Sequence, residues 1–518
     1  MGRHRHSRVS EAAKLVSAGS YEVSVCFQAP NHEGKKKIFL KKKSFVFPAA
    51  RHSRFEHSLG VGYLANGMIR RFQTQQPELE ISDREVELVT IAGLCHDLGH
   101  GPYSHAFEGW VHSVSGDWRH EDMSTRLVEL LVERNRLPYS KEEVELIQAL
   151  ISGEVPDEYK RRGRSFLFEI VANKTNGIDV DKFDYLERDS FLCSMPVPNF
   201  KRLVLASRVM DGHVAFRHKE GYGISELFHR RSTMFKLVYC HPVGVAVEIM
   251  LCDILTLANE PLKILERAKS LERFVYLNDT ILNEIEGSTS PELSAARALL
   301  LRLRKRDLYK AVGVVSMTGK DNVRRFKADL PEIMDDVAKL SSTDEQPITV
   351  NDFVIHLNRI NYGFGDSNPL DRVLTFRDWS DTACSNLNVA EVSAMYPVVF
   401  EEVNVRCYCK HKAYKKAISR AWDLYCTKVI EQKYTSSRNE VEMSRQSSSA
   451  SGEREKEKER ERKRKKKTNK QTNKQVLINN SPKATPFKTQ PDRELNAYLD
   501  AHRDMETSSA KKQRLDYQ

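Results

Sequence analysis

Apolar residues recur every three or four positions through most of the chain between residues 45 and 434, which is the spacing of amphipathic helices. One such run opens with the capping-box residues Ser82 and Glu85. The apolar positions of this run are Val86, Val89, Ala92 and Gly93. Because Gly99 then interrupts the pattern, we expect the helix to end near His96.

Two further segments have the helical pattern. The first runs from Asp122 to Arg134, and the second runs from Ser165 to Ala172 and stops at the turn Asn176-Gly177. Few stretches show the period of two that is typical of half-buried strands, so sheet should be minor. The pattern therefore predicts a mostly α-helical protein.

Both ends of the chain differ in composition from this body. Residues 1–44 contain two triple-lysine clusters, Lys35–Lys37 and Lys41–Lys43, which fit either a basic β-hairpin or a poorly ordered lead-in. From about residue 435 the chain is rich in serine and charge, and residues 453–467 are all charged. Such a segment cannot bury enough apolar surface to fold alone, so we expect a disordered basic tail over 435–518.

The charged run at 453–467 has three interpretations. Its composition favours a solvated linker. Pairs of glutamate with arginine or lysine four residues apart would stabilise an isolated helix. The basic block 462–467 is also typical of a nuclear-localisation signal or a nucleic-acid-binding patch, and residues 511–514 form a weaker version of it.

Charge and cysteine content narrow the cellular setting. The chain has 82 basic and 71 acidic residues, a net charge of +11, which suits polyanionic partners such as nucleotides or single-stranded RNA or DNA. Its nine cysteines are scattered and form no paired C-x-x-C motifs, which predicts reduced thiols. No apolar run approaches the roughly 18–20 residues of a membrane span, and no signal-peptide core is present. We therefore expect no membrane association and a location in the cytosol or the nucleus, and the basic blocks described above favour the nucleus with a cytoplasmic pool.

Two imidazoles and two carboxylates occur in the order His57, His96-Asp97, Asp181. They offer the nitrogen and oxygen donors of a divalent metal such as Zn, Fe or Mn, and four protein ligands leave positions for water and a phosphate oxygen. A lone histidine is more often a satisfied core residue. Adjacent residues on a helix point about 100° apart, however, so His96 and Asp97 can both face one ion only at a helix end. The set predicts a metal-assisted phosphohydrolase.

Three more histidines, His100, His105 and His120, follow in the same stretch. A histidine with a pKa near neutrality can protonate a leaving oxygen or bind phosphate, so each is a candidate general acid. The alternative for each is a surface histidine or one that supports the metal ligands from outside. His100 would share the side of His96 if the preceding helix continued.

Asp181, Tyr185 and Asp189 are spaced four residues apart, so a helix would align them on one face beside Lys182. Without a metal site this would be an ordinary solvated face. With one, Lys182 would neutralise phosphate charge while Tyr185 and Asp189 contact a sugar. Arg54 would hold phosphate with its planar fork.

Seven strings along the chain form a specific signature. They are RFEHSLGVGYLA (54–65), IAGLCHDLGHGPYSH (91–105), RHE (119–121), NGIDVDKFDYLERD (176–189), ELFHRRSTMFKLVYCH (226–241), KRDLYKAVG (305–313) and INYGFGDSNPLDRV (360–373). Together they resemble the HD-domain superfamily, and more closely the SAM- and HD-domain-containing deoxynucleoside triphosphate triphosphohydrolases of vertebrates. The likeness covers residues 45–430, and these strings are far more specific than an HD pair alone.

The resemblance implies an HD-domain helical core over residues 45–240 and a smaller mixed α/β lobe over 241–434 for regulation and oligomerisation as a dimer or tetramer. It implies hydrolysis of a dNTP to deoxynucleoside and inorganic triphosphate. It also implies control of cellular dNTP pools, with roles in antiviral defence and in DNA replication and repair. One divalent metal would be held by the four ligands of the H…HD…D set.

The resemblance also implies roles for individual residues. Arg54, His100, His105, Lys182 and Arg231 would surround the triphosphate, and Tyr185, Asp189 and Tyr239 would surround the deoxyribose. Tyr239 would stand where a ribose 2′-hydroxyl has to fit. His120, His105 and His100 would form the catalytic histidine group. Relatives pair His105 with an aspartate, whereas this chain has Glu108 in that place.

The regulatory part of the resemblance is incomplete. Residues 1–44 do not match a SAM domain. The lysine-rich stretch before Phe45 does not match the segment that supplies part of a guanine-nucleotide site and a Gln-Leu pair near the sugar in relatives. Arg306 and Lys310 match activator-site residues, whereas Pro242 replaces a lysine. Arg306 and Lys310 are thus the candidate contacts for a Mg-bound GTP, dGTP or other dNTP activator.

Two other functions fit parts of the sequence. An HD phosphodiesterase or nuclease needs only the metal ligands, although Tyr185, Asp189 and Tyr239 favour a bound deoxynucleotide. A non-catalytic scaffold that binds single-stranded nucleic acid fits the net charge and the lysine clusters, and its binding would fall steeply with salt.

Overall fold

The computed structural model describes residues 42–116, 118–341 and 347–430, so the predictions for residues 1–41 and for the tail lie outside the described residues. Helices dominate, as the sequence pattern predicts. The first nine are α1 Arg54–Gln75, α2 Asp83–Cys95, α3 His105–Ser115, α4 His120–Asn135, α5 Lys141–Ser152, α6 Asp157–Arg161, α7 Val180–Leu192, α8 Lys201–Leu205 and α9 Gly221–Met234. The others are α10 Pro242–Leu262, α11 Ile264–Lys269, α12 Leu271–Phe274, α13 Ile281–Gly287, α14 Ser294–Arg304, α15 Lys320–Ala328, α16 Leu330–Lys339, α17 Val389–Val392 and α18 Lys415–Tyr425.

Two small sheets complete the described part. Their strands are β1 Ser207–Met210, β2 His213–Arg217, β3 Lys310–Met317, β4 Phe353–Asn361, β5 Leu374–Phe376, β6 Ser385–Asn386 and β7 Glu401–Cys409. One sheet has the order β1-β2-β5-β6, in which only the β2–β5 pair is parallel. The other is antiparallel in the order β3-β7-β4, with Val405 of β7 opposite Val315 and Leu357. The mostly α prediction with minor sheet is confirmed.

Helix boundaries follow the local chemistry that the sequence displays. The predicted capping box at Ser82 and Glu85 is confirmed, and Ser53 and Glu56 form another at the start of α1. The expectation of a helix from Ser165 to Ala172 is wrong, because Ser165–Glu169 forms only a short 3-10 helix and a turn follows it. All five of its side chains are buried, so the segment has no solvent-facing side and its tertiary contacts override helix propensity.

The main hydrophobic core is organised around α10. This helix packs against α3 and α14, and its buried residues belong to the main core cluster. The expectation that no apolar run has the length of a membrane span is wrong for α10, which is long and apolar enough to cross one by length and composition. Its contacts explain that composition, because a core helix is apolar around much of its circumference.

A second hydrophobic core lies in the C-terminal part. There the three-stranded sheet packs with α15, α16 and α18, and Trp422 is fully buried between them. The Trp422 ring packs against β3 at Gly313, where a Cβ atom would overlap the ring. The pairing of β3 with β7 shifts register between Ala311 and Gly313, next to this contact. The division of the chain at residue 240 stays a prediction.

Candidate active site

Close packing of α1, α2 and α7 brings the H…HD…D residues together. His57 lies in the first turn of α1, His96 follows the last residue of α2, and Asp181 lies in the first turn of α7. A Cβ on Gly93 would stand 3.2 Å from the Cα of Gly62, so the two glycines let α1 and α2 approach closely. The candidate metal ligands thus lie at helix ends, as the sequence predicts.

The four side chains converge on one point. His57 Nε2 lies 3.1 Å from Asp181 Oδ1 and 3.6 Å from Asp97 Oδ2. His96 Nε2 lies 3.4 Å from Asp181 Oδ1 and 3.5 Å from Asp97 Oδ1. Donor atoms of His57, His96 and Asp97 all lie within 4.8 Å of one another, a spacing suited to a shared ion. These are the residues that the sequence nominates as ligands.

Both imidazoles are oriented by a hydrogen bond from their other nitrogen. His57 Nδ1 donates to Asp184 Oδ2 over 2.7 Å, and His96 Nδ1 donates to the Gly93 carbonyl over 2.9 Å. In the neutral ring, each Nε2 therefore carries the lone pair and faces the carboxylates. His96 Nε2 is buried without a hydrogen-bond partner, which is the arrangement expected of an atom that binds a cation.

Asp184 is a candidate positioning residue that the sequence pattern did not reveal. Its carboxylate receives His57 Nδ1–H and is fixed by Arg188, whose Nε and Nη2 donate over 2.8 and 2.7 Å. A Cβ on Gly60 would overlap the Asp184 carboxylate and the guanidinium, so only glycine there leaves room for the pair. The four-residue Asp184–Arg188 spacing on α7 was the one available signal.

Asp184→Asn should weaken metal binding about 10–100-fold, because the carboxylate sets the tautomer and basicity of His57. Metal content after dialysis measures the effect, and added metal should restore activity. Asp336→Asn, which removes a surface carboxylate paired with Lys339, is the matched control and should leave metal content unchanged. Full metal retention by Asp184→Asn would contradict this role.

Charge stabilises the ionised carboxylates of the centre. Burial opposes ionisation of Asp97, but Arg54, His96 and His100 outweigh it and hold its pKa well below the usual value. Burial likewise opposes the charge of Asp181, whose pKa is nevertheless lowered by the neighbouring imidazoles of His57 and His96. Burial disfavours protonated His96, yet Asp97 and Asp181 raise its pKa to about 9. A cation that binds here must therefore displace a proton from His96.

The donor set fits a divalent cation. Two neutral-capable imidazoles and two ionised carboxylates form an N₂O₂ set that suits Zn, Fe or Mn, and no thiolate takes part. The orphaned Nε2 of His96 and the oriented Nε2 of His57 support the same assignment. The described residues therefore contain a candidate divalent metal site; which metal it holds stays a prediction.

A second histidine cluster adjoins the metal ligands. The rings of His100 and His120 stack, with centroids 3.9 Å apart and planes 16° apart, and His105 lies edge-on to both. Glu108 joins the cluster, since its carboxylate accepts from His120 Nδ1 over 3.0 Å and from His105 Nδ1 over 3.3 Å. All three histidines nominated as proton donors or phosphate ligands are thus brought together.

His100 would share the side of His96 only if α2 continued to it, but α2 ends at Cys95. A turn carries His100 Nε2 to 3.4 Å from Asp97 Oδ1 instead. Burial and the charge of Arg54 lower the pKa of His100 well below its usual value. Burial also disfavours protonated His120, but Glu108 outweighs it and raises the pKa of His120. The stacked pair therefore combines a neutral ring with a readily protonated one.

Gly99 fixes the position of His120. A Cβ at residue 99 would overlap the backbone of α4 at His120 and Ser124, and the Gly99 N–H donates to Ser124 Oγ over 2.8 Å. Gly99→Ala should therefore displace the first turn of α4, cost about 1–3 kcal/mol of unfolding free energy and lower kcat. Gly109→Ala on α3 is the control, because its Cβ would meet nothing within 4 Å. Equal melting temperatures and equal kcat for both variants would contradict this role of Gly99.

The cationic residues predicted around the triphosphate surround the same site. Arg54 Nη1 pairs with Asp97, and its Nε donates to Ser104 Oγ over 2.9 Å. Lys182 Nζ donates to Asp179 over 2.8 Å. Burial opposes the charge of Lys182, but the Asp179 carboxylate raises its pKa, so it stays a cation.

Arg231 projects from α9 and is held by β4. Its Nη1 donates to the carbonyl and side-chain oxygens of Asn361 over 2.6 and 2.9 Å, and its guanidinium lies over the Phe235 ring with 4.4 Å to the centroid. Arg231 also lowers the pKa of Tyr185, although burial raises it more. The guanidinium of Arg231 is therefore close enough to Tyr185 on α7 for its charge to affect that side chain.

The predicted sugar residues form the other end of the site. Tyr239 Oη donates to Asp189 Oδ2 over 2.8 Å, and the rings of Tyr185 and Tyr239 lie 6.4 Å apart at 60°. Two residues that the sequence argument did not nominate join them: His52 Nε2 lies 2.6 Å from Asp189 Oδ1, and Lys43 Nζ pairs with Oδ2. Long sequence separation hides both contacts from spacing arguments.

The candidate activator residues lie apart along the chain from these groups. Arg306 is exposed after α14 with φ of 56°, and its Nη1 donates to the Phe45 carbonyl over 2.9 Å. Lys310 begins β3, and Pro242 begins α10. No ligand role of Arg306 or Lys310 follows from these contacts, and their nucleotide role stays a prediction.

Residues 54–189, which hold the four candidate ligands, match the family model of the HD domain. The chain is 40% identical over 373 residues to the deoxynucleoside triphosphate triphosphohydrolase SAMHD1 homolog of Dictyostelium discoideum, a match that covers 71% of this chain and 70% of that protein. Proteins named deoxynucleoside triphosphate triphosphohydrolase SAMHD1 match at 35% identity in Gallus gallus and 34% in Homo sapiens. These matches cover 71% of this chain and 66% and 64% of the relatives.

The fold and the H…HD…D set thus define an HD-domain protein with a divalent metal site. More narrowly, the chain belongs to the SAMHD1 family. The matched region spans about two thirds of the length of the chicken and human relatives. The resemblance inferred from the seven strings is confirmed.

Proposed function

We propose that this chain hydrolyses deoxynucleoside triphosphates to deoxynucleoside and inorganic triphosphate. The observation that carries the proposal is the shared face of α7, which presents Asp181 to the metal ligands and Asp189 to the tyrosines. One helix thereby links a phosphate-activating end to an end that accepts a sugar hydroxyl. The SAMHD1 relatives are named for this reaction.

The residues of the site would have two main roles, metal binding and phosphate binding. His57, His96, Asp97 and Asp181 would hold the divalent metal. When bound, the metal supplies Lewis-acid activation of a phosphate oxygen and of the attacking water. Arg54, Lys182 and Arg231 would bind the phosphate chain and offset the charge that grows on its oxygens.

The departing 5′ oxygen needs a proton. His120 is the candidate donor, because the Glu108 carboxylate outweighs burial and raises the pKa of the ring, which favours its protonated form. The neutral ring of His100 stacks against it and carries no opposing charge. Tyr239 and Asp189 would orient the deoxyribose so that the 5′ oxygen faces the histidine cluster.

The reaction is tested by incubating the protein with each dNTP, with and without GTP, in the presence of Mn²⁺, Fe²⁺ or Zn²⁺. Chromatography should resolve a deoxynucleoside and inorganic triphosphate in equal amounts. Deoxynucleoside monophosphate with pyrophosphate would exclude this reaction class. A cyclic-nucleotide or 3′-end substrate cleaved in preference to every dNTP would instead support an HD phosphodiesterase.

Glu108→Gln should shift the pH dependence of kcat. Burial lowers the pKa of His120 and the Glu108 carboxylate raises it, so loss of the carboxylate charge lowers that pKa. Protonated His120 is then lost at a lower pH as pH rises, and the basic limb of the profile should move toward acid. Glu121→Gln is the matched control and should shift it less, because Glu121 Oε2 lies 3.5 Å from His120 Nδ1 and is more exposed than Glu108. An unchanged basic limb in Glu108→Gln would remove His120 as the acid.

We further propose a nuclear enzyme with a cytoplasmic pool that limits dNTP levels. The basic block at residues 462–467 supports the nuclear location, and Arg306 and Lys310 support a GTP or dNTP activator that promotes a dimer or tetramer. Sedimentation with and without GTP, compared with an Arg306→Ala variant, tests the activator. An assembly state that ignores GTP would contradict it.

A further inference from the structure

Lys43 reaches the sugar end of the site from the segment that precedes α1. Its ammonium pairs with Asp189 Oδ2 and lies 4.4 Å from the centroid of the Tyr239 ring. The side chain is only 13% exposed, so the ion pair is largely withdrawn from water. A lysine therefore stands among the groups that are proposed to hold the deoxyribose.

The backbone around Lys43 is fixed by local contacts. The Lys43 carbonyl accepts hydrogen bonds from the N–H groups of Val46 and Phe47 over 3.0 and 2.8 Å. Arg306 donates to the Phe45 carbonyl, and Phe47 packs edge-on against His241. These contacts hold the base of the lysine side chain in place, and the four-carbon stem beyond it has rotatable bonds.

Asp189 has both carboxylate oxygens engaged. Oδ1 contacts His52 Nε2 at 2.6 Å, and Oδ2 accepts from Tyr239 Oη over 2.8 Å and from Lys43. A 2′-deoxynucleoside triphosphate has one free sugar hydroxyl, the 3′-hydroxyl, and a carboxylate is a natural acceptor for it. Because Oδ2 already accepts from two donors, the hydroxyl can take a place on that oxygen only when one of them leaves.

Lys43 is the partner that can leave most readily. The His52 side chain is 2% exposed and Tyr239 is held in the π-helical turn Phe235–Tyr239, whereas the lysine stem borders solvent. An ammonium regains strong hydration when it swings outward, which offsets part of the lost ion pair. Displacement of Lys43 would leave Tyr239 and His52 to orient Asp189 for the sugar.

We propose that Lys43 is an internal competitor for substrate, whose ammonium occupies the place on Asp189 that the 3′-hydroxyl of a deoxynucleotide takes. The proposal rests on the assignment of Asp189 and Tyr239 to the sugar under the proposed function. Substrate binding then requires Lys43 to swing out. The apparent association constant is the intrinsic constant multiplied by the fraction of molecules in which Lys43 is already outward. The lysine thereby sets a threshold on the dNTP concentration at which the site fills.

The test uses binding without chemistry. Isothermal titration calorimetry on the full chain would compare thymidine with 3′-deoxythymidine, which lacks the hydroxyl. Lys43→Met should bind thymidine about tenfold more tightly than the wild type if Lys43 is outward in about one molecule in ten. Affinity for 3′-deoxythymidine should stay within about twofold, since that ligand has nothing to place on Asp189.

Controls separate this effect from general changes. Lys43→Arg keeps the cation and should bind thymidine like the wild type. Lys339→Met removes a surface lysine paired with Asp336 and should also change nothing. Thermal melts confirm folding, and Lys43→Gln is the second variant should Lys43→Met not fold, with the same direction expected. Weaker thymidine binding, or an equal gain for both nucleosides, would overturn the proposal.

Failure of the proposed reaction gives a different result. If the product assay finds no triphosphate release while the thymidine-specific gain is present, Asp189 and Lys43 still form a sugar subsite and only the chemistry is wrong. If triphosphate release is present and the gain is absent, the reaction stands and Lys43 is not a competitor.

Discussion

The double variant His96→Ala/Asp97→Asn should hydrolyse dNTPs at least about 10³-fold more slowly than the wild type. Two of the four proposed metal ligands are lost, and the activation of water and phosphate is lost with them. The Asp97 carboxylate is also the charge partner of Arg54, so a phosphate-binding arginine loses its orientation in the same variant. Metal content after dialysis and the initial rate of triphosphate release are the two measurements.

The fold should survive this double change. His96 and Asp97 lie in a turn after α2, and Asn keeps the size of the aspartate side chain. Arg54, which loses its charge partner, is 28% exposed and can be hydrated instead. A thermal melt within a few degrees of the wild type is expected. Retained hydrolysis in a folded, metal-free variant would move the chemistry to another part of the chain.

Replacing His120 with Asn should lower kcat about 10²–10⁴-fold, because the 5′ oxygen then departs without a proton donor. Metal content should stay unchanged, since His120 is not among the proposed ligands. The loss should nearly vanish for a dNTP analogue with sulfur at the bridging 5′ position, because a thiolate leaves without protonation. The same large loss on oxygen and sulfur substrates would mean that His120 acts by position rather than as an acid.

His105→Asn is the matched comparison. His105 shares Glu108 with His120, but its side chain is 69% exposed, whereas that of His120 is 17% exposed. A solvent-facing imidazole can be replaced by water more easily, so His105→Asn should cost less in kcat and should keep part of the substrate binding. A larger loss for His105→Asn than for His120→Asn would reverse the assignment of the acid.

The sequence supports the helical class and the ligand set because both depend on local pattern. Short stretches of chain are enough to predict the capping box at Ser82, the end of α2 near His96 and the four-residue spacing on α7. The family strings add specificity that the HD pair lacks, and the match of residues 54–189 to the HD domain agrees with them.

Long-range partners lie beyond that kind of argument. His57 and Asp184 are 127 residues apart, and Lys43 and Asp189 are 146 residues apart, so no spacing rule connects them. The length and apolar composition of α10 fit both a core helix and a membrane-spanning helix. Only its packing partners, which lie far away in the sequence, distinguish the two. The failed helix at 165–172 likewise reflects burial on all sides, which the local pattern does not encode.

In the proposed reaction, the H…HD…D centre directs water to the α-phosphorus of a dNTP. A single turnover of dGTP in ¹⁸O-labelled water, with both products analysed by mass spectrometry, shows which atom the water attacks. We expect unlabelled deoxyguanosine and inorganic triphosphate that carries one ¹⁸O atom. Label in the deoxyguanosine, or release of deoxyguanosine monophosphate and pyrophosphate, would exclude attack at the α-phosphorus with loss of the 5′ oxygen.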